Sequence, residues 1–151
     1  MIIKLRPVTH EDWRFILEIR NQKDVRMACY DTSIIDYSTH EKYMKKLDSE
    51  SNCHQWIIVY EGIDVGQVKI DDLVFGYMLA EKYRGKGIWL NVYPLVLEEA
   101  KKNGFKKLKG TVKFNQKKQL EVALKLGFVI TGDLFKDGKP VGYDMEKILV
   151  D

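Results

Sequence analysis

The sequence has few of the residues that mark secreted, membrane-spanning or metal-stabilised proteins. It contains only two cysteines, Cys29 and Cys53, which excludes a disulfide framework and fits a reducing setting. Three histidines without paired Cys/His spacing argue against a structural zinc site, and we expect no metal. No apolar run approaches the roughly 20 residues of a membrane-spanning helix, and the first residues are too poor in apolar side chains for a signal peptide. We therefore expect a cytoplasmic protein without a membrane partner.

The residues that are present have the composition of an ordinary globular domain. Hydrophobic residues make up 45% of the chain, charged residues 31% and aromatic residues 11%, which excludes a disordered or low-complexity protein. A length of 151 residues suits one domain, because two would each lack a sufficient core. There is no internal repeat and no linker. We predict a single domain over residues 1–151.

Positive charge is concentrated in one segment. Residues 101–118 hold eight lysines and no acidic residue, whereas the rest of the chain has 17 basic and 22 acidic residues. This polarity favours an anionic partner for the C-terminal half, although a solvated lysine-rich face would show the same pattern. A nucleic-acid-binding module is disfavoured, because Phe105 and Phe114, the aromatic residues of the segment, occupy positions typical of a core.

Hydrophobic periodicity and turn residues predict an alternation of strands and helices. Strands are predicted near residues 2–8, 56–60, 65–70, 73–79, 108–112, 128–132 and 141–149, and helices over 10–21, 38–47, 90–103 and 119–126. Thr9 and Ser38 are predicted N-caps, residues 22–37 are predicted to be irregular, and Pro94 should kink its helix or mark a late start. The short connections between the middle strands favour an antiparallel meander. Together these elements predict a compact α/β protein.

A glycine-rich turn, Arg84-Gly85-Lys86-Gly87, lies between a predicted strand and the longest predicted helix. Such a turn exposes successive backbone N–H groups, and the helix behind it adds the positive end of its dipole, so the turn suits a phosphate or pyrophosphate. It is not a P-loop, because the Gly-x-x-x-x-Gly-Lys-Ser/Thr spacing is absent. It is not a Rossmann fingerprint either, because the preceding strands have an antiparallel pattern. A plain surface connection is the alternative.

The chain resembles the GNAT superfamily of acyl-CoA-dependent N-acyltransferases in three features. Residues 79–88 match the signature Arg/Gln-x-x-Gly-x-Gly/Ala at Arg84 and Gly87. Asn115 precedes a helix that ends in Lys-Leu-Gly-Phe at residues 125–128. The order of elements agrees over nearly the whole chain. The resemblance implies a GNAT-like α/β (α+β) fold, with a mixed, mostly antiparallel central sheet flanked by helices.

The resemblance also implies that acetyl-CoA is the acyl donor. It would enter a V-shaped opening between the strands that end near Leu79 and Val112, with its pantetheine arm paired to strand backbone and its pyrophosphate on the amides of the turn. The implied coenzyme-binding residues are Met78, Leu79, Arg84, Gly85, Lys86, Gly87, Ile88, Trp89, Asn115 and Lys118. Trp89 departs from the family pattern, which has glycine or alanine there, so its side chain must point away from the ligand.

The reaction implied by the resemblance is direct attack of a neutral amine on the thioester. A backbone N–H near Tyr77 or Met78 would polarise the carbonyl, and the Tyr77 ring is a candidate for lining the acceptor pocket, with core packing as the alternative. Asp71 or Asp72 stands where the family places its general base, although a plain hairpin turn also explains this pair. Ala123 stands where many members carry a tyrosine acid. The thiolate therefore leaves unassisted or is protonated by another group.

The N-terminal third shapes the acceptor site in this superfamily. Here it loosely resembles the subgroup of amino-sugar-nucleotide and ribosomal-protein N-terminal acetyltransferases. The candidate acceptor-binding residues are Arg20, Asn21, Arg26 and His54, and His40 is a further candidate base. We expect the acceptor to be a primary amine of a small molecule, with an amino sugar or nucleotide-linked amino sugar as a specific possibility. The alternatives are a protein N-terminus as acceptor and a CoA-binding regulatory protein without catalysis. A homodimer is left open.

Overall fold

Seven strands form one continuous sheet in the computed structural model, which describes residues 2–29 and 31–149. The strands are β1 (Ile3–Pro7), β2 (Cys53–Tyr60), β3 (Ile63–Asp71), β4 (Val74–Leu79), β5 (Lys107–Lys113), β6 (Val129–Lys136) and β7 (Lys139–Ile148). Their order across the sheet is β1-β2-β3-β4-β5-β7-β6. All neighbouring strands are antiparallel except β4 and β5, which are parallel. This confirms the predicted mixed, mostly antiparallel sheet.

Five α-helices flank the sheet over the described residues. They are α1 (Trp13–Arg20), α2 (Lys23–Ala28), α3 (Tyr37–Ser49), α4 (Ile88–Lys102) and α5 (Lys117–Lys125), with short 3₁₀ turns at His10–Asp12 and Glu81–Tyr83. Within the described ranges, no helix is both long and apolar enough to cross a membrane. The sequence does not predict α2, because this helix has six residues, none of them buried, and Gln22 at its N-cap makes no capping bond.

Two helix boundaries differ from the predictions. α3 begins at Tyr37 and its N-cap is Asp36, whose carboxylate accepts the N–H of Thr39 at 2.7 Å, rather than the predicted Ser38. Aspartate and serine cap helices about equally well, so the sequence does not distinguish between these two neighbouring positions. α4 runs without a break through Pro94, so the predicted late start is wrong. Pro94 lies on the exposed side of the helix, where water can reach the carbonyl left without a backbone donor.

Side chains alternate across the strands and give the sheet two faces. On the face that we call the α4 face, α4 and α5 cover a core that includes Val68 and Leu108. On the opposite α1 face, residues of α1 and α3 pack over Ile57. β4 contributes to both, because Tyr77 stacks on a residue of α4 while Met78 packs with the α1-face cluster.

The parallel strands β4 and β5 pair only where they begin. Val74 is in register with Lys109, whose N–H donates to the carbonyl of Leu73 at 2.8 Å. Over the described residues, no further backbone bond joins the two strands toward Leu79 and Val112. The sheet is thus open between the C-terminal ends of β4 and β5, which is where the sequence predicts a V-shaped opening.

An ion pair fixes β1 to the start of α1. Arg6 donates to the two carboxylate oxygens of Asp12 at 2.9 and 2.7 Å, and the N–H of Thr9 donates to the same carboxylate at 2.8 Å. Asp12 is only 7% exposed. The hydrogen bonds from Arg6 hold the pKa of the Asp12 carboxyl below its usual range.

We expect Asp12→Asn to lower the free energy of unfolding by about 2 kcal/mol at neutral pH, because hydrogen bonds to a charged group contribute about 1.5–3 kcal/mol. The pKa of Asp12 is lower in the folded protein than in the unfolded chain. The stabilisation by its hydrogen bonds is therefore complete above the unfolded-state pKa of about 3.9, and it is lost as pH falls through the folded-state pKa. Urea unfolding of both proteins should therefore give converging stabilities in acid. Asp64→Asn removes an exposed bond to the same guanidinium and should cost less than about 1 kcal/mol. A difference between wild type and Asp12→Asn that persists in strong acid contradicts the assignment.

Candidate active site

The Arg84–Gly87 turn joins the open end of β4 to α4. Gly85 and Gly87 have φ angles of 72° and 73°, in the left-handed region that favours glycine, and Gly87 is the N-cap of α4. Among the described residues, no backbone acceptor takes the N–H of Gly85, Lys86 or Gly87, and a Cβ on either glycine would meet nothing within 4 Å. With the N–H groups of the first helical turn, these amides form a row of donors at the positive end of the α4 dipole. This arrangement fits a pyrophosphate.

The Arg84 side chain does not contribute its charge to this row. Its Nε donates to the carbonyl of Leu79 at 2.9 Å, its Nη1 donates to Asp24 at 3.2 Å, and its Nη2 donates to Gln22. Its own N–H donates to the carbonyl of Glu81 at 3.2 Å, so the row of amides begins at Gly85. Both the side chain and the N–H of Arg84 are therefore engaged within the protein, which does not favour the predicted direct contact between Arg84 and the coenzyme.

Trp89 points into the core, as the sequence argument requires. Its ring stacks on Tyr77 with centroids 3.8 Å apart and planes 5° apart, and Phe75 and Tyr93 complete an aromatic cluster on the α4 face. Burial raises the pKa of Tyr77. The Tyr77 ring is thus a packing residue, which was the alternative to a role in the acceptor pocket. Its burial beneath α4 keeps it away from the α1 face.

The β5 side of the opening carries the other predicted coenzyme residues. Asn115 lies between β5 and α5, and Lys118 lies in the first turn of α5, where both are exposed. Lys113, the last residue of β5, donates instead to the carbonyl of Met27 at 3.3 Å. The lysines of residues 101–107 lie at the opposite end of β5. The lysine-rich segment therefore does not form one binding surface.

Asp71 and Asp72 lie at the wrong end of β4 for a general base. Asp71 ends β3, and Asp72 is in the hairpin turn, where its N–H donates to the carbonyl of Asn52 at 3.1 Å. The six residues of β4, about 20 Å of extended chain, separate this hairpin turn from the Arg84–Gly87 turn. These positions favour the hairpin-turn alternative for this pair, and a general base at either position stays a prediction that the geometry does not support.

Neither predicted histidine faces the opening. His54 lies on the α4 face near the start of β2, with its ring 6.1 Å from Trp56 and 5.5 Å from Phe105. His40 is buried under α1, with Nε2 2.8 Å from the carbonyl of Trp13, and burial lowers its pKa. His54 thus packs among aromatic rings and His40 contacts backbone, and these positions do not favour the predicted roles in acceptor binding and base catalysis.

The predicted acceptor residues of α1 and α2 hold the loop between α2 and α3. Asn21 exchanges two hydrogen bonds with the backbone of Ile35, at 2.8 and 2.9 Å. Arg20 donates to the carbonyl of Asp31 at 2.7 Å, and Arg26 donates to the carbonyl of Asn21 at 3.1 Å and to a loop carbonyl at 3.0 Å. The Arg26 guanidinium is thus engaged by backbone, whereas Nη1 of Arg20 has no hydrogen-bond partner among the described residues, so a phosphate-binding role for this pair stays a prediction.

The sequence analysis missed an open space on the α1 face beside the opening. A Cβ on Gly76 would meet nothing within 4 Å. Counting from the Val74–Lys109 pair, Thr111 lies across the opening from Gly76, and Asp144 pairs with Thr111 on the neighbouring strand β7. Asp144 is half-buried, and its side-chain carboxylate makes no hydrogen bond or ion pair with any described residue. The alternation of side chains between the two faces along β7 is the sequence signal that could have placed the Asp144 side chain on the α1 face.

The family of the chain follows from a match over most of its length. Residues 3–129 match the family model described as an acetyltransferase (GNAT) domain. The chain belongs to the GNAT family. It is therefore an acetyl-CoA-dependent N-acetyltransferase, as the sequence resemblance implies. Bound acetyl-CoA would supply the acetyl group of its thioester to an amine, and the groups of this GNAT enzyme that fit the coenzyme are the backbone amides of Gly85 to Trp89 and the backbone of Met78 and Leu79.

Solved structures share the fold of this GNAT enzyme. The spermidine N-acetyltransferase from Vibrio cholerae, in complex with CoA and spermine, has a TM-score of 0.86 and 17% identity over 97% of this chain and 95% of that one. A domain from Methanocaldococcus jannaschii has a TM-score of 0.83 and 21% identity over 98% and 99% of the two chains. The protein yncA from Salmonella typhimurium, solved with acetyl-CoA, has a TM-score of 0.79 and 15% identity over 100% and 96%. At these identities the likeness concerns the fold.

Proposed function

We propose that the enzyme acetylates the primary amine of a small aliphatic amine, which reaches the thioester from the α1 face above Gly76. The observation that carries this proposal is the open space at Gly76, because it borders the β4–β5 opening on the sheet face where the carboxylate of Asp144, two strands away on β7, also lies. A carboxylate at this place attracts an ammonium group and accepts a proton from it.

The residues around the opening have separate tasks in this reaction. Asp144 takes the proton from the ammonium, directly or through one water, so that the nitrogen becomes nucleophilic. A backbone N–H of β4 that faces the opening polarises the thioester carbonyl, whose carbon forms the new bond to nitrogen as its bond to sulfur breaks. Ala123 supplies no acid, and the thiolate leaves unassisted, which its pKa of about 8.5 permits. The second proton of the amine nitrogen becomes acidic once the new bond forms and passes to water or to the departing thiolate, which leaves the neutral amide.

A polyamine is the acceptor that we propose to test first. Arg20 and Arg26 each donate to backbone carbonyls, which leaves less of either guanidinium for the phosphate of a nucleotide-linked amino sugar. The carboxylate of Asp144 suits a cationic acceptor instead. A structural neighbour from Vibrio cholerae is a spermidine N-acetyltransferase that was solved with spermine.

A thiol-release screen with acetyl-CoA tests the proposal. The acceptors are spermidine, an amino sugar, a nucleotide-linked amino sugar and a peptide with a free N-terminus. We expect release that depends on spermidine, with little from the nucleotide-linked sugar. Release with the peptide alone supports the protein N-terminal acetyltransferase instead. Acetyl-CoA binding without release from any amine supports the regulatory alternative.

Asp144→Asn should lower kcat/KM for the amine about 100-fold near neutral pH, because general base catalysis contributes about 10²–10⁴-fold. The loss should shrink as pH rises toward about 10, where an aliphatic amine is already neutral in solution. Steady-state kinetics across this range, with acetyl-CoA saturating, measure both effects. Asp133→Asn is the matched control, because Asp133 is an exposed carboxylate on β6 that pairs with Tyr143 rather than facing the opening. An equal loss at every pH contradicts the role of Asp144 as proton acceptor.

Two features of the sequence analysis stay predictions. A homodimer is compatible with the edge strand β6, which exposes Val129 and Ile130. The cytoplasmic location rests on composition alone.

A further inference from the structure

We propose that Gln22 is a positioning residue that fixes the Arg84–Gly87 turn, which we call the coenzyme turn. Gln22 does so from the α1 face, which we call the acceptor side because the amine is proposed to approach there. The inference rests on the proposed function, because it assumes that the turn binds acetyl-CoA. Gln22 precedes α2, and its Oε1 accepts two hydrogen bonds from the segment between β4 and the turn. One comes from the N–H of Glu81 at 3.0 Å and the other from Nη2 of Arg84.

Arg84 carries the effect of these contacts to the coenzyme site. Its Nε donates to the carbonyl of Leu79 at 2.9 Å, so the guanidinium links Gln22 to the last residue of β4. Its backbone leads directly into Gly85, the first residue of the donor row. Gln22 and Asp24 therefore hold this side chain from both of its terminal nitrogens. Movement of Gln22 would shift the amides that receive the pyrophosphate.

The other end of α2 is tied to β5. Lys113 donates to the carbonyl of Met27 at 3.3 Å, and Lys113 is the last residue of its strand. α2 thus spans the opening, with one end fixed to the chain after β4 and the other to the end of β5. No residue of α2 is buried, so these ties and not core packing determine where it lies. A helix fixed in this way couples the acceptor side to the coenzyme side, and such coupling acts in both directions.

Gln22→Ala tests the proposal without changing the coenzyme turn. We expect CoA to bind about 10-fold more weakly in calorimetry, and the KM for acetyl-CoA to rise by a similar factor while kcat at saturation changes less than about twofold. Hydrogen exchange at the amide of Glu81 should become faster even without coenzyme. Lys23→Ala is the control, because Lys23 is an exposed neighbour without a polar contact among the described residues. Lys23→Ala should leave both the affinity for CoA and the KM for acetyl-CoA unchanged.

A double-mutant cycle with Arg84→Ala separates positioning from a general loss of stability. If Gln22 acts through Arg84, the double variant should bind CoA no more weakly than the weaker single variant. Gln22→Glu keeps the acceptor oxygen and should restore affinity to within about threefold of wild type. The inference is overturned if the losses of CoA affinity in the two single variants add in the double variant. It is also overturned if Gln22→Ala binds CoA as tightly as Lys23→Ala. Wild-type protein that does not bind CoA overturns the proposed function itself.

Discussion

Gly87→Glu should abolish measurable binding of acetyl-CoA, with a loss of more than about 100-fold in affinity. The φ angle of Gly87 is 73°, and a side chain there enters the space in front of the row of amides. The carboxylate adds a negative charge where the pyrophosphate belongs, and like charges at about 4 Å repel strongly when partly shielded from water. Calorimetric titration with acetyl-CoA measures the loss.

Gly62→Glu is the matched control for this substitution. Gly62 has a φ angle of 80° in the turn between β2 and β3, and a Cβ there also meets nothing within 4 Å. The control thus introduces the same charge at a positive φ angle in a turn that is not part of the row of amides. It should bind acetyl-CoA like wild type. A folded Gly87→Glu protein with unchanged affinity would remove the assignment of the turn to the coenzyme.

Gly76→Val should lower the rate of amine acetylation by more than about 100-fold while leaving the affinity for acetyl-CoA within about threefold of wild type. A Cβ at this position meets no atom within 4 Å, and valine suits a strand, so we expect the variant to fold. The side chain instead fills the space through which we propose that the amine approaches. Displacement of a reacting group by about 1 Å can cost about 100-fold in rate.

Gly132→Val controls for the effect of a valine in an open strand position. Gly132 lies in β6, and a Cβ there also meets nothing within 4 Å. Its kinetics should match those of wild type. If Gly76→Val acetylates spermidine normally, the acceptor does not approach above Gly76. If it loses acetyl-CoA affinity as well, the space belongs to the coenzyme instead.

The sequence predicts the fold well because its signals are local. Each strand has a run of apolar residues bounded by turn residues, and the turn at Gly85 and Gly87 falls between a strand and a helix, where both glycines adopt left-handed angles. The opening follows from the same signals, since a parallel pair within an antiparallel sheet needs a crossover, here α4.

The acceptor side is less predictable because its side chains act across the fold. Arg20 and Arg26 have the charge of ligand-binding residues, but their partners are carbonyls of a loop whose path no local pattern shows. Asp71 and Asp72 are candidates because the family resemblance places a general base there, whereas only the register of β5 and β7, which no local pattern shows, places the Asp144 carboxylate on the α1 face. The sequence does not predict α2, because this helix is held by hydrogen bonds to residues more than 50 positions away in the chain.

The exposed character of α2 has a consequence for how acceptor preference can change. A segment without buried residues can exchange its surface side chains without creating cavities in the core. The positions that anchor it must keep their geometry: Gln22 and Asp24 on Arg84, Arg26 on the following loop, and the Met27 carbonyl at the end. The other residues of α2 can vary, and a new set of amine substrates can arise while the scaffold and its donor chemistry stay the same.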